Sequence, residues 1–397
     1  MIFYFYFYFY LQTTAFCVNI RLMETKLFVD ILKEEFNCSF FTGVPDSQLK
    51  ELCYYLTQNE SENHLICANE GNAVAVAAGE YLSTGKISVV YMQNSGLGNI
   101  VNPVTYLLNN KVYGIPCVFV VGWRGEPQVK DEPQHVFQGE ITLDLLHVLG
   151  IHTIVIDKNT DIDELKADLR KESDYIKSGN SIAVVVKKGA FESVEKAKAK
   201  NDFKLIREQV IDKITKYTKT DLIVCTTGKA SRELFEIREK DNESHKYDFL
   251  TVGSMGHASS IAYGIAKNLS DKKVWCIDGD GAILMHMGAM SIIGNKKPKN
   301  LVHVLINNQA HETVGGMATS SSSMDYCSIA KACGYAKQYR VETEQELEET
   351  LKIAKESNEL TFVEICVGLG SRADLGRPTT TPQQNKNSFM DNIKGNK

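Results

Sequence analysis

The strongest constraint on the fold is a repeated alternation of short apolar segments with helical segments. In the first half, FFTG, LICAN, ISVVYMQ, GIPCVFVVGW, HTIVID and SIAVVVKK are apolar throughout and rich in β-branched residues. Apolar strands of this kind, separated by helices, indicate a parallel sheet whose two faces are both covered. The sequence therefore predicts an α/β protein with doubly wound parallel sheets.

This alternation is interrupted once and then restarts. The polar stretch at 192–205, ESVEKAKAKNDFKL, is followed by the strand-like segments DLIVCTTG, KVWCIDGDG, LVHVLINN and TFVEICVG. We therefore predict two α/β domains, at 23–190 and 205–370, joined by a linker at 191–204 and without a third domain between them. The tail at 371–397 is polar and contains proline, which predicts a flexible or disordered segment.

Composition and charge exclude several classes of partner. The 397-residue chain has a formal net charge of −5 at pH 7, which gives no electrostatic footprint for nucleic acid. No apolar run reaches the ~20 residues that span a bilayer. The ten cysteines are scattered, without a C-x-x-C pair, as is typical of buried thiols in a reducing cytoplasm. We predict a cytoplasmic protein without nucleic-acid or membrane partners.

The N-terminus has an unusual composition. Residues 1–10 read MIFYFYFYFY and lack the basic start of a signal peptide. Met23 opens an ordinary amphipathic helix, METKLFVDILKEEF. We interpret residues 1–22 as an extension outside the functional fold, with a hydrophobic anchor as the alternative.

Two polar turns follow strands in the second half. The strand VWCID runs into Gly279–Ala282 (GDGA), and the strand LVHVLI ends in Asn307-Asn308. Glycines let the backbone approach a phosphate, and the N-terminus of the following helix favours negative charge. Carboxylate and amide oxygens are ligands that Mg²⁺ prefers, and open α/β sheets bind ligands at the carboxyl ends of their strands. The two turns predict a magnesium and phosphate site.

With GDG and NN 28 positions apart, counted from Asp280 to Asn308, the chain resembles the thiamine-diphosphate enzyme family. The resemblance implies a pyrimidine-binding first domain, a diphosphate-binding second domain, and thiamine diphosphate with Mg²⁺ as cofactors. The side chains of Asp280 and Asn308 and the backbone carbonyl of Ala310 would bind the metal. Met255 would hold the cofactor in its bent shape. The implied cofactor-binding residues are Gly228, Lys229, Gly253, Ser254, Met255, Gly279, Gly281 and Ala282.

Glu70 lies in LICANEGNAVAVAAG, where a strand ends and a helix of small residues begins. The stretch is similar to the one in which the family carries a water-shielded glutamate that activates the aminopyrimidine ring. The resemblance thus implies that Glu70 is the activating residue, with a helix cap as the alternative. In the family this glutamate meets a cofactor held by another subunit, which implies a homo-oligomer with shared active sites.

Other stretches, FTGVPDS, NEGN, YMQNSGLGN and GWRGEP with KDEPQH, resemble the phosphonopyruvate decarboxylases. The resemblance implies a small 2-oxo acid substrate with an anionic phosphonate group, as in phosphonate biosynthesis. Arginine can hold a phosphonate by two parallel hydrogen bonds, and lysine adds a point charge. The candidate substrate-binding residues are Asp46, Ser47, Asn94, Ser95, Arg124, Lys130 and His135. For the cations, the alternative is a solvated loop paired with Glu126, Asp131 or Glu132.

His311 and Glu312 directly follow the second turn. They are candidates for the group that donates a proton after carbon dioxide leaves, and polar contacts to the cofactor are the alternative. The chain lacks the His-His pair of the pyruvate decarboxylases and carries Val314 where those enzymes have a glutamate.

The expected reaction is decarboxylation of 3-phosphonopyruvate to phosphonoacetaldehyde and carbon dioxide. Sulfopyruvate decarboxylation and a carboligase reaction of the acetolactate-synthase type are the alternatives within the same chemistry. A non-catalytic subunit is a third alternative. It is disfavoured because Glu70, Asp280 and Asn308 are all present on one chain.

Overall fold

The computed structural model of the protein describes residues 22–197 and 199–395. The interpretation of residues 1–22 as an extension therefore concerns a segment that, apart from residue 22, lies outside the described residues. Within the described ranges, no helix combines the length and the apolar character needed to cross a membrane.

The first half contains a parallel sheet of six strands. Its strands are β1 (Phe40–Gly43), β2 (His64–Ile66), β3 (Ser88–Gln93), β4 (Cys117–Gly122), β5 (His152–Ile156) and β6 (Ile182–Val186). They lie in the order β2-β1-β3-β4-β6-β5, and every pairing is parallel. Alternate residues of β3 enter opposite cores, Val89 on one face and Val90 on the other. This double burial explains why the strand is apolar throughout.

Helices cover both faces of this sheet. They are α1 (Thr25–Phe36), α2 (Lys50–Asn59), α3 (Glu70–Thr84), α4 (Leu97–Pro103), α5 (Pro133–Glu140), α6 (Thr142–Val148), α7 (Ile162–Lys171) and α8 (Ser173–Lys177). Phe28 of α1 and Leu52 of α2 are buried in the core on one face, and Ala73 of α3 in the core on the other.

The second half repeats the architecture. Its strands are β7 (Leu222–Cys225), β8 (Asp248–Leu250), β9 (Val274–Gly279), β10 (Leu301–Asn307), β11 (Lys337–Val341) and β12 (Thr361–Cys366), in the parallel order β11-β12-β10-β9-β7-β8. Its helices are α9 (Arg207–Thr218), α10 (Lys229–Lys240), α11 (Ala258–Asn268), α12 (Asp280–Met285), α13 (Gly288–Lys296), α14 (Tyr326–Cys333), α15 (Glu344–Glu356) and α16 (Pro382–Lys394). The two sheets confirm the predicted α/β class, and the described residues form no third domain between them.

The polar segment between the sheets forms neither helix nor strand over its described residues 192–197 and 199–204. Its position matches the predicted linker, and the domain limits at 23–190 and 205–370 stay predictions.

The C-terminal segment differs from the expected flexible tail. Residues 382–394 form α16, which begins with a capping box made by Thr381 and Gln384. Asn385 accepts a hydrogen bond from the Leu250 backbone N–H and donates to the Asp248 carbonyl. Phe389 is buried against Phe249. The helix thus covers β8 at the edge of the second sheet, which removes an exposed strand edge.

Candidate active site

A cavity of about 820 Å³ lies at the carboxyl ends of the strands of the second sheet. Its walls come from both halves of the chain. Glu70 and Arg124 belong to the first half, and Asp280 and Asn308 to the second. One chain therefore brings the candidate residues of its first half and those of its second half to the same cavity.

The expected metal ligands leave two neighbouring strands at the same edge, because Gly279 of β9 is in register with Ile306 of β10. The Asp280 side chain is almost fully buried, and its Oδ2 accepts hydrogen bonds from the hydroxyls of Thr319 (2.6 Å) and Ser321 (3.1 Å). Burial raises the pKa of Asp280 to about 6, and only hydroxyl and backbone donors oppose that effect. No cation among the described residues pairs with this buried carboxylate, which fits a site for Mg²⁺.

Asn308 is oriented by its neighbours. Its Nδ2 donates to the Glu312 Oε2 (3.0 Å), and its Oδ1 accepts the backbone N–H of Ala310 (3.1 Å). An amide oxygen with one such bond keeps a lone pair for a metal. Asp280, Asn308 and the Ala310 carbonyl, all at the cavity wall, are the groups that would hold Mg²⁺.

The N-terminus of α10 opens on the same cavity. Gly228 precedes the helix with φ 95°, a conformation that favours glycine, and Lys229 is its first residue. The unpaired N–H groups of a helix N-terminus bind phosphate oxygens. Met255 packs against the GDG turn, since a Cβ placed on Gly281 would lie 3.3 Å from its methyl group. The other predicted cofactor-binding residues at the wall are Gly253, Ser254, Gly279 and Ala282.

Glu70 is the first residue of α3 and points into the cavity region from the first half. Asn69 caps this helix by accepting the Gly71 N–H at 2.7 Å, so the carboxylate is not needed as the cap. The Glu70 Oε2 accepts a hydrogen bond from Asn99 Nδ2 (2.7 Å). Burial raises the pKa of Glu70 above its ordinary value. Gly96 is required nearby, because a Cβ there would lie 2.4 Å from the carboxylate.

Four of the predicted substrate-binding residues line the cavity: Ser47, Ser95, Arg124 and His135. The Arg124 guanidinium binds both carboxylate oxygens of Asp131 (2.7 and 2.5 Å) and donates to the Ser47 hydroxyl (3.0 Å). Arg124 therefore pairs with Asp131, as the alternative interpretation of the loop expected, but it does so at the wall of the cavity and not in open solvent.

The other three predicted substrate-binding residues do not line this cavity. Asp46 is fully buried and accepts the backbone N–H of Gln48. The Asn94 amide donates to the Arg124 carbonyl and the Thr142 hydroxyl, and it accepts the Arg124 backbone N–H. Lys130 is exposed at a separate cavity of about 240 Å³. The side chains of Asp46 and Asn94 point into the protein and bond groups of the surrounding turns. Their positions in the sequence did not show whether they would point there or into the cavity.

His311 and Glu312 both line the cavity, in different electrostatic states. Burial lowers the pKa of His311 to about 4, so its imidazole is neutral near pH 7. Burial acts to raise the pKa of Glu312, but ion pairs with Arg207 and Lys229 outweigh it and lower the pKa below its ordinary value. A carboxylate held ionised is a poor proton donor, which argues against the role predicted for Glu312.

Sequence reasoning missed several groups that line the cavity, as Arg207 and Arg377 do, or that bond a residue lining it, as Thr319 and Ser321 bond Asp280. Arg207 bonds Glu233 through two nitrogens (2.7 and 2.8 Å) and also pairs with Glu312. Thr319 and Ser321 stand in a run of serines that looks like an unstructured loop. Arg377 lies in the tail that was expected to be flexible. Polar residues at the start of a helix, in a serine run or in a tail carry no periodic signal, so their part in the site could not be predicted from the sequence.

Comparison with known proteins identifies the family. Residues 25–148 match the N-terminal TPP binding domain of thiamine pyrophosphate enzymes, and residues 226–365 match the C-terminal TPP binding domain. The chain belongs to the thiamine pyrophosphate enzyme family. Thiamine pyrophosphate is another name for thiamine diphosphate, so the predicted cofactor is confirmed, and with it Mg²⁺ as the usual metal of this family.

Individual relatives of the chain are decarboxylases. The chain is 33% identical to phosphonopyruvate decarboxylase from Streptomyces viridochromogenes, over 86% of this chain and 88% of that one. It is 31% identical to phosphonopyruvate decarboxylase from Streptomyces hygroscopicus, over 88% and 89%. It is also 24% identical to sulfopyruvate decarboxylase from Methanosarcina acetivorans, over 86% and 91%.

Proposed function

We propose that this protein decarboxylates 3-phosphonopyruvate to phosphonoacetaldehyde and carbon dioxide. The observation that carries the proposal is one cavity lined by Arg124 and by two buried carboxylates, Glu70 and Asp280, for which the described residues provide no cationic partner. The similarity to two phosphonopyruvate decarboxylases supports the substrate. Sulfopyruvate is the second candidate, favoured by the Methanosarcina relative.

The cofactor side of the cavity determines how the chemistry is started. Bound thiamine diphosphate supplies the nucleophilic carbon and the electron sink that loss of carbon dioxide requires. Asp280, Asn308 and the Ala310 carbonyl would hold Mg²⁺, and the N–H groups at the start of α10 would hold the diphosphate. Glu70 would donate or accept a hydrogen bond at the aminopyrimidine ring, a task suited to a carboxyl whose pKa is raised by burial.

The substrate side of the cavity binds and orients the acid. Arg124, fixed by Asp131 and Ser47, supplies a rigid positive group, and the hydroxyl of Ser95 supplies a neutral donor. His311 is neutral at pH 7, so it can place an N–H or a lone pair on the reacting atoms without adding charge. We propose His311, and not Glu312, as the residue that guides the final proton.

Removal of the metal tests the proposal. Protein stripped with EDTA should release no carbon dioxide from phosphonopyruvate, and activity should return only when thiamine diphosphate and Mg²⁺ are both added. The aldehyde product is identified by reduction with borohydride and mass spectrometry. Equal activity of the stripped protein would contradict the proposed chemistry.

We also propose that the protein is a homo-oligomer. Large apolar side chains are exposed on α3, on α4 and in the segment that follows α4, namely Val76, Leu82, Val101, Tyr106, Val112 and Tyr113. Exposed apolar groups in such number are typical of an interface with another protein. The sequence resemblance implies active sites shared between subunits, and within one chain both halves already contribute to the cavity wall. Light scattering of the purified protein measures the oligomeric state, and a monomeric mass would contradict this proposal.

A further inference from the structure

The segment between β12 and α16 crosses the cavity. We name residues 371–381 the C-terminal strap. Arg377, Pro378, Thr380 and Thr381 of the strap line the cavity on the same side as Glu132 and His135 of the first half. The strap therefore connects the second domain to the loop where the substrate-binding residues were predicted.

Both ends of the strap are anchored. Arg232 of α10 donates to the carbonyl oxygens of Gly376 (2.5 Å) and Leu375, and Glu236 accepts the Gly376 N–H at 2.5 Å. Asn385 in α16 bonds the backbone of β8 on the far side. Residue 377 follows directly after the first anchor, so its backbone is held at the cavity wall.

Arg377 differs from the other arginines and the lysine of the cavity wall in how it is held. Arg124 is bound through two nitrogens by Asp131, and Arg207 through two nitrogens by Glu233. Arg232 is committed to the strap carbonyls, and Lys229 to Glu312.

By contrast, within the part of the chain that the structure describes, Arg377 makes one ion pair, with Glu132 Oε2 at 2.6 Å, and 56% of its side chain is exposed. A single, half-exposed ion pair contributes little to stability. The pair can therefore open at small cost when a stronger anion enters the cavity.

From this comparison we infer that Arg377 is a specificity-determining residue that binds the phosphonate of the substrate in exchange for Glu132. The inference rests on the proposed function, since it assigns the substrate's dianionic end to this site. A phosphonate offers oxygens for two parallel hydrogen bonds from one guanidinium, whereas the methyl group of pyruvate offers none. Glu132 neutralises Arg377 while the site is empty and competes with the substrate when it arrives.

Arg377→Met tests the inference, with Arg170→Met as the control. Arg170 is an exposed arginine that likewise makes an ion pair, with Glu35, and it does not line the cavity. In Arg377→Met, kcat/KM for phosphonopyruvate should fall at least about 30-fold, as for loss of a charged hydrogen-bonded contact. Any turnover of pyruvate should change less than about threefold, and Arg170→Met should behave like the wild type towards both acids. Glu132→Gln should lower KM for phosphonopyruvate.

A binding measurement separates this inference from the proposed function. Phosphonoacetate, which retains the carboxylate and phosphonate groups, is titrated into the wild type and both variants by calorimetry. Weaker binding to Arg377→Met alone supports the inference. If the wild type turns over phosphonopyruvate, and Arg377→Met equals it in both phosphonoacetate binding and kcat/KM, the role of Arg377 is overturned. A wild type without activity on phosphonopyruvate would overturn the proposed function instead.

Discussion

Four of the buried carboxylates of this protein show how their partners differ. Glu233 and Asp248 are each bound through two nitrogens by an arginine, Arg207 and Arg238, and serve the fold as paired charges. Glu70 and Asp280 are equally buried but meet only amide and hydroxyl donors. An unpaired buried charge is costly, and both Glu70 and Asp280 line the cavity. A cofactor and its metal would supply partners for them there.

Glu70→Gln tests the activating role at the level of one atom. The amide keeps an oxygen that can accept the bond from Asn99 but cannot exchange a proton with the cofactor. We expect kcat to fall by about 10²- to 10⁴-fold, with the affinity for thiamine diphosphate within about threefold of the wild type. Glu80→Gln, the same change on the same helix but away from the cavity, should leave both values unchanged. Activity within twofold of the wild type in Glu70→Gln would exclude the role.

Asp46 gives a prediction on stability. Burial raises its pKa to about 6, and the nearby Arg124 offsets only part of that effect. Because the folded state favours the protonated acid, the contribution of Asp46 is present at low pH and is lost as the pH rises through about 6. The free energy of unfolding of the wild type relative to Asp46→Asn should therefore decrease by about 2 kcal/mol between pH 4.5 and 7.5. Urea unfolding at both pH values measures the difference, and a constant difference would contradict the assignment.

At the scale of elements, the sequence predicted the polar turns at the carboxyl ends of β9 and β10, but it did not predict the C-terminal helix α16. VWCIDGDG and LVHVLINN carry strand and ligand signals together, and the structure places both turns at one edge. Residues 382–394 contain few apolar groups, and Phe389 is the large one that is buried. The helix depends on side-chain bonds from Asn385 to β8, and a single polar residue of this kind has no sequence signature.

Asn385→Ala tests how α16 is attached. The change removes two hydrogen bonds to the backbone of β8 and leaves a buried N–H and C=O without partners. We expect a loss of about 1–3 kcal/mol in the free energy of unfolding. Ser388→Ala, at an exposed position of the same helix, should change it by less than about 0.5 kcal/mol. Equal stability of the two variants in urea would show that Asn385 does not attach the helix.

At the scale of the whole molecule, the chain assembles its site from two similar domains. The sequence predicted two parallel-sheet domains, and the structure confirms them. The sequence also identified Glu70 in the first domain and Asp280 and Asn308 in the second as site residues. It could not predict that one chain brings all three to one cavity, because the packing of two domains has no local signal. For the same reason the ionic network of Arg207, Glu233 and Glu312 was missed.

Subunit complementation tests whether each cavity belongs to one chain. Glu70→Gln and Asp280→Ala chains are co-expressed with different tags, and oligomers that contain both are purified. If each chain builds its own cavity, every cavity carries one defect, and activity should stay at the level of the single variants. Recovery of about half of the wild-type activity would show instead that subunits share their active sites.

The most direct test of the central claim is a comparison of kcat/KM for phosphonopyruvate, sulfopyruvate and pyruvate in the presence of thiamine diphosphate and Mg²⁺. The account predicts phosphonoacetaldehyde as the product and a preference for phosphonopyruvate over each of the other acids of at least about tenfold, worth ~1.4 kcal/mol. A preference for sulfopyruvate would keep the cofactor site and contradict the substrate. A condensed product in place of the free aldehyde would contradict the reaction itself.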